Sequence, residues 1–93
     1  MEFNDKIGNR ESEVEPDFNI FITSLSMQAM IFLGEMANPI TNETKVELPR
    51  AKYLIETISI IREKTKGNLT EEEVKLIDDM LYTLRLKYAE KVK

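Results

Sequence analysis

DFNIFITSLSMQAMIFLGEM, residues 17–36, is the stretch on which the fold turns. Phe18, Phe21, Ile22, Leu25, Ala29, Phe32, Leu33 and Met36 recur at steps of three and four, which gathers them on one face of an α-helix. A second apolar set, Ile20, Met27, Met30 and Ile31, lies nearly opposite, with Thr23 and Gly34 small beside it. A helix apolar on two faces must be covered on both. Asp17, directly after Pro16, is placed to cap its start. Asn38-Pro39 is expected to stop it near residue 37, because proline has no amide donor and restricts the residue before it.

Upstream, residues 1–16 hold few apolar side chains, carry mixed charge and show neither helical nor strand periodicity, so they are expected to form a flexible tail. Downstream, Ile40 to Val46 mixes turn formers with β-branched residues, too few for a paired strand, and reads as a loop. Leu48-Pro49 opens a second helix over about 48–66, since proline fits a first turn whose amides have no intrahelical partner. Ala51, Leu54, Ile55, Ile58 and Ile61 form its stripe, with Tyr53 and Ile60 on the far side.

Gly67 suits a left-handed position at that helix's end. The start signal after it is the sharpest in the chain. Thr70 and Glu73 have the spacing of a capping box, and Leu69 can staple onto Val74. The third helix, about 71–91, carries Val74, Ile77, Leu81, Leu84 and Tyr88 as a seam, widened by Leu76, Met80, Tyr82 and Leu86. The expected fold is all-α: a single domain over 17–93, an antiparallel three-helix bundle. Its surplus apolar positions call for completion by a two-fold homodimer with the first helix at its centre. The candidate dimer or partner surface is Ile20, Met27, Met30, Ile31 and Gly34, and the structural caps are Gly67, Leu69, Thr70 and Glu73.

Composition narrows the function. The 93 residues include no cysteine and no histidine, which removes the usual ligands of zinc, copper, haem and iron–sulfur groups and the usual neutral-pH base. No cofactor is expected, and an enzyme ranks last among the readings. No basic start with an apolar core precedes a cleavage site, and Ile20 to Leu33 falls short of the ~20 apolar residues of a membrane span. A cytoplasmic protein without a membrane partner is therefore expected.

The net charge is −4, and every charged residue between Glu11 and Thr44 is acidic, which disfavours nucleic acid there. The basic end formed by Arg85, Lys87, Lys91 and Lys93 is read first as an answer to the helix macrodipole. Glu71, Glu72, Glu73, Asp78 and Asp79 could form a carboxylate cation site. A helix N-terminus explains them better, with Glu71 able to pair with Lys75. Lys64 to Asn68 resembles a phosphate grip only in composition, since it follows a helix rather than a strand. Asn42-Glu-Thr44 and Asn68-Leu-Thr70 match the glycosylation pattern, which carries no weight without a leader.

The leading functional reading is a non-catalytic helical interaction module that binds itself and, through its methionine-bearing surface, another protein. A small-molecule or lipid site with Ser24, Ser26 and Gln28 orienting a polar head is the alternative. A nucleic-acid or ribosome accessory is weaker still.

The run from Asp17 to Glu35, the Asn38-Pro39 turn, and Glu63 to Thr70 followed by Glu73, Leu81, Leu84, Arg85 and Tyr88 resemble the bacterial family called domain of unknown function 1844. The resemblance spans about residues 17–90. It implies a small helical bacterial protein, and it brings no catalytic residues with it.

Overall fold

The computed structural model describes residues 15–93. The tail expected over 1–16 falls outside them except for Glu15 and Pro16. Helix α1 spans Phe18–Phe32, α2 Leu48–Lys64 and α3 Glu71–Val92. No strand occurs among the described residues.

Each helix starts where its local chemistry dictates. The Asp17 carboxylate accepts from the Ile20 amide at 3.2 Å. Pro49 sits in the first turn of α2, where its missing donor costs nothing. The Thr70 hydroxyl accepts from the Glu73 amide at 3.1 Å while the Glu73 carboxylate accepts from the Thr70 amide at 2.9 Å, a closed capping box.

The end of α1 differs from expectation. It stops at Phe32, five residues before the Asn38-Pro39 boundary, because Gly34 takes a left-handed backbone with φ +79. The Gly34 amide donates to the Ile31 carbonyl at 3.0 Å and the Glu35 amide to the Met30 carbonyl at 2.9 Å. Those paired bonds form a Schellman cap, which satisfies the last carbonyls and turns the chain away. Gly34, expected on the partner surface, is thus the residue that stops the helix.

Residues 33–47 then double back. Leu33 bridges Val46 in antiparallel sense, the Glu47 amide reaches the Phe32 carbonyl at 2.7 Å, and the Asn38 amide reaches the Glu43 carbonyl at 2.8 Å. Asn38 Oδ1 accepts from the Ile40 amide at 2.8 Å, so this asparagine builds the turn that its proline neighbour had suggested. Gly67 has φ +87 and sits in the turn closed by the Asn68 amide on the Thr65 carbonyl at 2.9 Å. It lies beyond the cap residue Thr65, one position later than a simple helix cap would place it.

The three helices run up, down and up. Arg62 on late α2 meets Asp78 on early α3, and Arg50 on early α2 lies 5.6 Å from the centre of the Phe32 ring on late α1. Neighbours in sequence are therefore antiparallel, and α1 and α3 are parallel. Ile22, Ala29 and Leu33 close against Ala51, Leu54, Ile55 and Ile58 of α2 and Ile77, Leu81 and Leu84 of α3. Each such Ile or Leu contributes about 1.5–3 kcal/mol by leaving water. Two members of the expected inner stripe stay outside: Phe21 is 50% exposed and Met36 37%. Phe21 lies at the rim of the stripe, and Met36 falls after the helix has ended.

Candidate interaction groove

Helix α1 carries no charged side chain over its whole length. Its buried row meets the other helices, and its two flanks diverge. On one flank Phe32 and Gln28 face Pro49, Arg50, Tyr53 and Leu54 of α2. On the other, Thr23, Ser26, Met27 and Met30 face Asp79, Met80, Thr83 and Leu84 of α3 across an open groove of about 330 Å³, with Met36 closing one end. The α1–α3 seam is the thinnest of the three helix pairings. Four of the chain's five methionines line this groove. Thioether side chains are polarisable and unbranched, so such a surface can fit several apolar shapes.

Inside the groove the Ser26 hydroxyl donates to the Met80 sulfur at 2.9 Å. Asn19, Thr23, Ser26 and Met30 form one row of α1 at helical spacing. At its head the Asn19 Oδ1 is buried without a donor among the described residues. At the far end Glu35 receives Lys91 at 3.3 Å and Lys87 at 3.6 Å. The hydrogen bond from Lys91, reinforced by the charges of Lys87 and Lys91, holds the Glu35 carboxyl below its ordinary range.

Of the five expected surface residues, Ile20 is 50% and Met27 46% exposed, forming an outer ridge with exposed Ser24. Met30 is half-buried and packs against the core from the groove side. Ile31 is half-buried beside Asn38, Thr41, Glu43, Lys45 and Glu47, because the unexpected return of the loop covers it. Met36, expected with Met27 and Met30 as one of the methionines of an adaptable surface, joins the groove from the loop, whereas Met80 was not among the expected surface residues, since its convergence with them depends on α1 and α3 being parallel neighbours.

The other candidate clusters dissolve. The Ser24 hydroxyl bonds back to the Ile20 carbonyl at 2.9 Å, Ser26 faces Met80, and Gln28 lies on the opposite flank, so they do not jointly orient a polar head. Glu73 closes the capping box, Asp78 holds Arg62 at 2.8 Å and Asp79 holds Lys75 at 3.1 Å. Lys75 therefore pairs forward with Asp79, not back with Glu71. No group of acidic side chains that could hold a metal ion occurs among the described residues. Arg85 donates to the Ser59 hydroxyl at 3.1 Å, so with Lys87 and Lys91 on Glu35 most of the basic end is turned onto neighbours.

A three-helix, all-α fold with an uncharged first helix and a methionine-lined open groove is what these residues define. The chain belongs to the family described as Domain of unknown function (DUF1844), whose model matches residues 15–90. No curated protein and no solved structure matches it. The matched span runs from the residue before Pro16 to the last turn of α3, so the family pattern covers all three helices. No helix among the described residues is long and apolar enough to cross a membrane.

Proposed function

We propose that this protein is a non-catalytic helical interaction module of the bacterial cytoplasm, which docks an apolar helix face into the groove between α1 and α3. One observation carries the reading: a charge-free helix leaves Ile20 and Met27 half in water beside a groove lined by Met30, Met36 and Met80. Methionine-lined apolar surface of this kind suits an amphipathic helix anchored at positions three and four apart.

The methionine ε-methyl groups report on the groove directly. Titration with short amphipathic helical peptides should shift and saturate the signals of Met27, Met30, Met36 and Met80 at roughly micromolar to millimolar concentration. Met27→Glu should abolish the shifts while α-helical content and melting stay near wild type, because Met27 is half exposed. Methyl signals that ignore both apolar peptides and the protein's own concentration would overturn the reading.

A further inference from the structure

We infer that the partner seated on this groove is a second copy of the same chain, with its α1 running antiparallel. The inference rests on the groove reading above and adds the identity and direction of the occupant.

Three features point to it. First, the ridge and the groove are on the same element: Ile20 and Met27 project from α1, and Thr23 and Met30 of the same helix form one wall of the groove. A two-fold axis beside α1 would lay the ridges of the two copies against each other along the rim of the groove, a self-complementary arrangement that closes after two. A partner's α1, lacking charge, would bring no buried ion into an apolar groove.

Second, the α1–α3 layer is polar from end to end. Because the two helices are parallel, Glu15, Asp17, Glu71 and Glu72 gather at one end, where Lys75 is already held by Asp79, and Lys87, Lys91 and Lys93 at the other, where Glu35 is shared by two lysines and leaves a positive surplus on α3. Antiparallel docking places the acidic end of one copy on the basic end of the other, whereas parallel docking stacks like on like. The helix macrodipoles favour the same direction, since α1 and α3 already point the same way within a chain.

Third, the face is large enough. Helix α1 is about 22 Å and α3 about 33 Å long. Side by side at normal helix spacing they present a face some 20 Å wide. That is of the order of the ~800 Å² per partner found in standard interfaces.

The exposed ridge is centred between Ser24 and Met27, so an axis there sets Ser24 against the partner's Met27 and Ile20 against the partner's Ile31. The chain has no cysteine, which makes single-cysteine cross-linking clean. In the full chain, Ser24→Cys and Met27→Cys should each form a disulfide with their own twin under mild oxidation. Ile20→Cys twins would stand about 16 Å apart along the axis, too far for a bond that needs Cβ atoms at roughly 4 Å. The two near-axis variants should cross-link roughly ten-fold faster than Ile20→Cys, and the uncross-linked protein should show a concentration-dependent dimer mass.

Efficient cross-linking of Ile20→Cys as well would mean a parallel pair and overturn the inference. A monomer mass up to about millimolar concentration with no cross-links would overturn it too. In that case peptide-induced methyl shifts would show that the groove binds something other than itself, and their absence would remove the groove reading as well.

Discussion

A Cβ built on Gly34 would stand 2.7 Å from the Cγ2 of Val46. The glycine is needed twice at this point, once for its positive φ and once for the close passage of the returning loop. Gly34→Ala should therefore cost about 2 kcal/mol or more, combining left-handed strain with overpacking. Adding Val46→Ala should recover the steric part and leave the backbone part, an interaction that a double-mutant cycle in urea would read.

Gly67 isolates the backbone term. Its φ is +87, but an added Cβ would meet nothing within 4 Å. Gly67→Ala should cost about 1 kcal/mol, and Gly67→Asn less, because asparagine tolerates the left-handed region. A melting temperature unchanged by the alanine would refute the turn assignment.

The Ser26 to Met80 contact is short but should be worth little. A thioether is a weak acceptor that loses almost nothing when its donor is removed, and alanine is the better helix former. Ser26→Ala should stay within about 0.5 kcal/mol of wild type in chemical denaturation, or be slightly more stable. Met80→Ala, which widens the groove and exposes Leu84, should cost about 2 kcal/mol, the low end for such a truncation.

Glu35 links the end of α1 to the last turns of α3 through Lys87 and Lys91. Its folded-state pKa lies below the ordinary value near 4.5, so its contribution to stability is present above that pH and is lost as pH falls through the depressed value. Glu35→Gln should lower the melting temperature at neutral pH, and the gap to wild type should close as the solution is acidified below about 4.5. A gap that persists unchanged into acid would show that the lysines do not act through the carboxylate charge.

Local chemistry was legible where it acts within a few residues. Thr70 and Glu73 announced α3, Leu48-Pro49 announced α2 and Asp17 announced α1, because caps and first-turn prolines depend on neighbours in sequence. The end of α1 was not, because apolar spacing continues through Leu33 and Met36 after the helix has stopped. Leu33 is held by its bridge to Val46 and buried in the core, and Met36 returns over the groove from the loop. Gly34 carried the stop signal but also fitted a row of small residues, and only the paired bonds to Ile31 and Met30 separate the two. The groove was half legible. Met27 and Met30 follow from the second stripe of α1, whereas Met80 joins them only through the parallel packing of helices that are not consecutive.

An uncharged α1 would also set the thermal character of any complex made through it. Contacts made by such a helix would give counter-ions nothing to screen, and burying its apolar face would carry a negative heat-capacity change on docking. Complexes made through it should loosen in the cold room and tighten on moderate warming, and added salt should act only on their charged rims.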